Sequence, residues 1–234
     1  MEILVNGIRM HYEIRGKGQK VVLLIHGNGE DWHCFDRQIP DFAKEYTVIA
    51  VDSRGHGQSE WGNRPFCLVQ IAEDYLALLE KLDLQNVNII GFSDGANIAI
   101  LMALADIRRI GKLVLAGGNL YPSGVEFWCQ GPTVLQYLGL SVLSHFQKEY
   151  YRKKQIIGLM VKEPHIRPEK LRSIGVPTLV LAGSRDVIRR SHTRLIYQSL
   201  PDAELTLVPQ TGHFIFRDAP EVVNKRILEF FSIR

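Results

Sequence analysis

Cysteine is scarce in this chain. Three residues, Cys34, Cys67 and Cys129, are spread through 234 positions with no Cys-x-x-Cys pair. An odd, widely spaced set excludes a disulfide framework and a structural zinc site, and suits a reducing compartment. Long apolar runs are missing too: none approaches the roughly 20 residues of a membrane-spanning helix. The first residues, Met1-Glu2-Ile3-Leu4-Val5-Asn6-Gly7, have neither the basic start nor the apolar stretch of a signal peptide. The expectation is a soluble, cytoplasmic protein with no membrane span. Excess charge of either sign is also lacking. A net charge of +3 is too small for a nucleic-acid partner, and the one dense basic cluster, Arg152-Lys153-Lys154, reads as a solvated helix face. The eight histidines show no paired spacing suited to a metal, and no cofactor is implied.

What is present is a repeating pattern. Ile3 to Val5 and Met10 to Ile14 flank Asn6-Gly7, a strong hairpin signal. Solid apolar runs follow at Val21–Ile25, Val48–Val51, Val87–Ile90, Leu113–Ala116, Thr178–Leu181 and Leu205–Val208, as expected of strands buried on both faces. Helical periodicity fills the gaps: Trp32 to Lys44, Val69 to Leu82, Gly95 to Leu104, His192 to Leu200 and Glu221 to Phe231. Strand and helix in alternation predict an α/β fold, with a mostly parallel sheet of about eight strands and helices on both faces. From Asn119 to Ser173 the rhythm stops. Pro122, Gly124, Gly131, Pro132, Gly139 and Pro164 punctuate that stretch, with helical pieces such as Ser144 to Met160 between them. It predicts a small helical cap, residues 119–173, inserted between core segments 1–118 and 174–234. The cap lies over the carboxyl edge of the sheet, where ligands of open α/β sheets bind.

Gly91-Phe92-Ser93-Asp94-Gly95 follows an apolar strand and opens a helix of small residues. That is the setting of a G-x-S-x-G nucleophile elbow. The tight turn strains the serine backbone, the glycines relieve crowding, and the helix N-terminus faces the oxygen where negative charge develops. A strand followed by Gly183-Ser184-Arg185-Asp186 and a last strand followed by Thr211-Gly212-His213 supply an acid and a base at the same edge, in the order Ser, Asp, His. The catalytic candidates are therefore Ser93, Asp186 and His213. The rival position for the acid, after Leu113–Ala116, holds Gly117-Gly118-Asn119 and no carboxylate. His26-Gly27-Asn28-Gly29 can turn a backbone N–H toward a substrate carbonyl. Asn28, before Gly29, and Asp94 are the expected oxyanion-hole donors. His26 and Asp52 read as structural.

Over nearly its whole length the chain resembles the α/β-hydrolase superfamily. The resemblance rests on His26-Gly27, on Asp52-Ser53-Arg54-Gly55-His56-Gly57-Gln58-Ser59, on the Ser93 elbow, on the Asp186 loop and on Gly212-His213. Ser-Asp-Gly at the elbow is similar to valacyclovir-hydrolase-like and biphenyl-hydrolase-like esterases and to bacterial carboxylesterases. The nucleophile Ser93 separates the chain from dehalogenases and epoxide hydrolases of similar pattern, which use Asp. The resemblance implies a serine esterase acting on a small-molecule ester, with lactone, thioester, activated amide and carbon–carbon bond hydrolysis as alternatives, and a non-catalytic ligand receptor as an alternative of another class. Phe127 and Trp128 are the candidate apolar substrate contacts. The Asp94 carboxylate either serves the helix dipole or attracts a cationic substrate group.

Overall fold

The computed structural model describes residues 1–232. Eight strands form one sheet in the order β1-β2-β4-β3-β5-β6-β7-β8. They are β1 (Glu2–Val5), β2 (Ile8–Arg15), β3 (Val21–Ile25), β4 (Thr47–Val51), β5 (Val87–Phe92), β6 (Ile110–Ala116), β7 (Thr178–Gly183) and β8 (Ala203–Val208). The first two strands pair antiparallel around Asn6-Gly7, and β2 runs antiparallel to β4; from β4 to β8 every pairing is parallel. The helices are α1 (Ile39–Phe42), α2 (Leu68–Lys81), α3 (Asp94–Ala105), α4 (Phe127–Leu143), α5 (Lys148–Lys162), α6 (Arg190–Ser199), α7 (Ile215–Asp218) and α8 (Pro220–Ser232).

The uninterrupted apolar runs have a simple cause. Along β3, Leu23 and Ile25 enter one core with α2, α3 and α6, while Val22 and Leu24 enter a second core with α1, α7 and α8. A strand covered on both faces needs apolar side chains at every position.

Three local expectations are corrected. Trp32 to Lys44 is not one helix: a 3-10 turn at Trp32–Phe35 is separated from α1, which has Pro40 in its first turn. A proline there starts a helix and cannot continue one from before. Conversely, Gly131, Pro132 and Gly139 do not break the chain. They lie inside α4, a 17-residue helix. Pro132 forgoes only the bond to the carbonyl of Trp128, on the solvent side of the helix, and α4 gains its stability by packing on α5. The helical stretch expected from Ser144 begins instead at Lys148.

Between β6 and β7 lie α4, α5 and two 3-10 turns, with no strand of the sheet. Among the described residues no helix is long and apolar enough to cross a membrane.

Candidate active site

Ser93 sits between β5 and α3 with φ 55° and ψ −119°, a conformation non-glycine residues rarely adopt and which costs about 1–3 kcal/mol. The turn is held by the Ser93 N–H, which donates to the Ala116 carbonyl at 2.8 Å, and by its own carbonyl, which accepts from Ala96 at 2.9 Å. Both elbow glycines are required by close backbone approach. A Cβ at position 91 would lie 2.2 Å from the Gly95 carbonyl oxygen, and one at 95 would lie 2.1 Å from that of Ile25. Gly95 thus makes room for the end of β3 rather than for the serine itself.

The other two residues arrive from the ends of β7 and β8. His213 Nε2 lies 3.0 Å from Ser93 Oγ, and His213 Nδ1 lies 2.7 Å from Asp186 Oδ1. A carboxylate only accepts, so Nδ1 carries the proton and the Nε2 lone pair faces the serine hydroxyl. Asp186 is held in turn: Oδ1 accepts from the Ile188 N–H at 3.0 Å and Oδ2 from the Gly183 N–H at 3.3 Å. The Asp186 side chain is 3% exposed and that of His213 is 12%. Low exposure strengthens these contacts and limits solvent competition. Gly117, at φ +63°, lies against the imidazole, where a Cβ would come within 2.8 Å of Cε1.

The three residues open on a cavity of about 310 Å³, lined among others by Gly27, Asn28, Phe92, Val125, Val187, Ile188 and Phe214, and by Cys129, Gln130, Thr133 and Met160 of α4 and α5. Neither the Asn28 nor the Asp94 backbone N–H donates to another described residue, and both residues line this cavity beside Ser93.

Phe127 and Trp128 are placed elsewhere. They are 79% and 65% exposed and do not line the cavity at Ser93. Helical spacing explains it: Cys129, Gln130 and Thr133 share one side of α4, and Phe127 and Trp128 lie on the other. Asp94 borders the cavity but is only 6% exposed. Its Oδ1 accepts from Asn97 Nδ2 at 3.1 Å, and its Oδ2 is buried without a partner. Burial, opposed chiefly by the Asn97 hydrogen bond, pushes its carboxyl up to about 6.

Sequence reasoning missed two carboxylates on the same cavity. Glu30 Oε2 accepts from the Gly27 N–H at 3.2 Å, and Glu163 Oε2 accepts from the Leu68 N–H at 2.8 Å. Burial raises the pKa of both. Glu30 directly follows the His26–Gly29 loop, a signal that could have found it; Glu163 is brought in from the far end of α5 and had none. Asn97 and Asn119 also escaped notice. They exchange two hydrogen bonds, at 3.0 and 2.8 Å, that tie α3 to the segment after β6.

The structural residues stand where expected. His26 is buried, donates from Nδ1 to the Gly27 carbonyl and accepts the Ser53 N–H at Nε2. Asp52 accepts from His11, Trp32 and Gln58, and is fully occupied. Arg54, wholly buried, grips Asp74 with two nitrogens at 2.6 and 2.8 Å. Among the described residues no cluster of His, Cys, Asp and Glu is suited to a metal.

The chain is 25% identical to the serine hydrolase BPHL of Homo sapiens, over 99% of this chain and 86% of that one. It is 37% identical to a 2-hydroxy-6-oxononadienedioate/2-hydroxy-6-oxononatrienedioate hydrolase of Paraburkholderia xenovorans, over 96% and 91%. One longer curated relative is spanned over 65% of its length. An enol-lactonase crystal structure from Burkholderia xenovorans superposes with a TM-score of 0.83 at 20% identity, covering all of both chains, which speaks for the fold alone. A model of the alpha/beta hydrolase fold family matches residues 20–155, more than half of the sequence. With the eight-stranded sheet and the serine elbow in place, the chain belongs to the alpha/beta hydrolase fold family.

Proposed function

We propose that this protein is a serine carboxylesterase for small uncharged esters, with Ser93 as nucleophile, His213 as general base and Asp186 as the acid behind it. The observation that carries the reading is the unbroken chain from Asp186 through His213 to Ser93, at 2.7 and 3.0 Å, opening on a largely apolar cavity. In this reaction Ser93 Oγ attacks the ester carbonyl carbon while His213 Nε2 takes the hydroxyl proton. The backbone N–H groups of Asn28 and Asp94 receive the oxyanion. Collapse expels the alcohol, which takes the proton from His213 and leaves an acyl-enzyme on Ser93. Water then attacks, His213 again holding and returning the proton, and the acid departs. Residues 119–173 serve as the cap that excludes bulk water and bounds the acyl group.

Lactones, thioesters and carbon–carbon bonds suit the same machinery, and a relative of the dioate-hydrolase kind exists. The lining chooses among them by charge. Among the described residues its ionisable side chains, His213 and Cys129 aside, are the carboxyl groups of Glu30, Asp94 and Glu163, with no Lys or Arg. A dicarboxylate substrate would enter against like charge, so neutral esters and lactones are favoured.

The test is turnover of p-nitrophenyl esters of graded acyl length, with labelling by a fluorophosphonate. Wild type turns over many times and labels at Ser93; a folded Ser93→Ala variant does neither. An acyl chain ending in carboxylate is turned over less well than its methyl-terminated match. Stoichiometric binding without turnover would place the protein among ligand receptors instead.

A further inference from the structure

A second, much smaller cavity shares Gly27, Asn28 and Asp94 with the substrate cavity. It offers about 10 Å³ to the centre of a water molecule. Its walls are mostly apolar, with Leu68, Ile71, Ile98 and Leu159, but Asn28, His56 and Asp94 also reach it. Each of these three contributes a buried polar atom with no partner among the described residues: Asn28 Oδ1, His56 Nε2 and Asp94 Oδ2. Three such atoms on one small cavity are unusual, because a buried polar group without a partner costs about 1–3 kcal/mol.

The surrounding bonds fix the role of each atom. Asn28 Nδ2 donates to the Ile156 carbonyl at 2.8 Å, which leaves its oxygen as the unpartnered acceptor. His56 Nδ1 lies 3.0 Å from the Arg54 carbonyl and must donate to it. Burial holds the imidazole below its ordinary pKa, so it is neutral and Nε2 is an acceptor. An ionised Asp94 would add a third acceptor and no donor. One water can donate its two protons to Asn28 and His56, and a protonated Asp94 then supplies the hydroxyl from which that water accepts.

We propose that one water molecule seated in this cavity joins Asn28, His56 and the neutral acid form of Asp94, and that this site positions the two backbone donors beside Ser93. Asn28 is thereby held in place, and below the pH at which Asp94 ionises no negative charge stands next to the Asp94 N–H where an oxyanion forms. The second consequence rests on the oxyanion-hole reading above; the water and the proton do not. Burial, with a smaller contribution from Glu163 and opposed by Asn97, Asn28 and His213, raises the Asp94 carboxyl to about 6. His26 faces the same cavity but is pushed down to about 3 and stays neutral. Asp94 is therefore the group there that changes charge near neutral pH.

Three measurements on the intact protein test the site. A high-resolution crystal structure at pH 5 should show one ordered water within hydrogen-bond distance of all three atoms; a dry cavity overturns the proposal. The infrared difference spectrum between pH 5 and pH 8 should show a protonated carboxyl band that is lost with the ionisation of Asp94 and absent in Asp94→Asn. Failure to find that band overturns the neutral acid, whether or not the protein is an esterase. Asp94→Asn keeps a donor toward the water and cannot ionise. Relative to its own value at pH 5, the ratio of its kcat/KM to that of wild type should rise roughly tenfold or more as pH passes through about 6, since only wild type gains a charge near the oxyanion. A flat ratio, with the water and the band both present, refutes the positioning role alone.

Discussion

Gly117→Ala should damage catalysis far more than stability. The added methyl carbon would sit 2.8 Å from His213 Cε1 and 3.1 Å from Nδ1, where ordinary contact begins near 3.4 Å. The ring must back off by about 0.6 Å. Asp186 holds Nδ1 through a 2.7 Å bond, so the motion falls on the far side of the ring, and the 3.0 Å contact to Ser93 opens toward 3.6 Å. Misplacement of that order costs about 100-fold in rate. Alanine at φ +63° adds about 1–2 kcal/mol of backbone strain, or several degrees of melting temperature in a chain of this size. Steady-state kinetics on a p-nitrophenyl ester should show kcat down by roughly two orders of magnitude with KM little changed. Labelling by a fluorophosphonate should slow by a similar factor. Gly175→Ala is the control, because a Cβ there meets nothing within 4 Å. A folded Gly117→Ala variant within about twofold of wild type would refute the reasoning that the space beside His213 is what the glycine supplies.

Asp186→Asn should retain the fold and lose about 10⁴-fold in kcat, because an amide can offer Nδ1 a donor and stabilise the wrong tautomer; kinetics at saturating ester decide it. Arg54→Ala strands the Asp74 carboxylate in a site with no exposure, and urea unfolding should report a loss of about 3–5 kcal/mol. His26 has a folded pKa of about 3 against an ordinary 6.5, so the folded state resists protonation. Its contribution to stability is complete above 6.5 and is lost as pH falls, by up to about 1.4 kcal/mol per unit between 6.5 and 3. Unfolding midpoints of His26→Gln should fall less steeply with acid than those of wild type; parallel slopes would count against a buried neutral imidazole.

The local signals were legible because they are covalent or periodic. The elbow could be read from Gly91 to Gly95, since the backbone approaches there admit no side chain. That Asp186 and His213 reach the edge carrying Ser93 could be read from their places after β7 and β8, since parallel strands deliver their carboxyl ends to one edge. The apolar runs announced a sheet covered on both faces. Trp32 to Lys44 was misread because its periodicity is helical while Pro40 forbids a continuous helix. In α4 the error was opposite: Gly131 and Pro132 looked like breaks, yet packing on α5 outweighs their local cost. Phe127 and Trp128 were chosen for their chemistry, but which side of α4 faces the cavity is settled by how the helix docks, and that side carries Cys129, Gln130 and Thr133. The amino-acid sequence by itself thus determined the sheet, the elbow and the order of Ser93, Asp186 and His213, because each follows from steric rules within a few residues. Only the tertiary structure decided that Glu163 reaches the cavity, that Asp94 is buried beside His56 and Asn28, and that among the described residues no Lys or Arg lines the cavity. Those facts depend on contacts between segments up to about 130 residues apart, such as Asn28 with Ile156. No local preference encodes contacts at that distance.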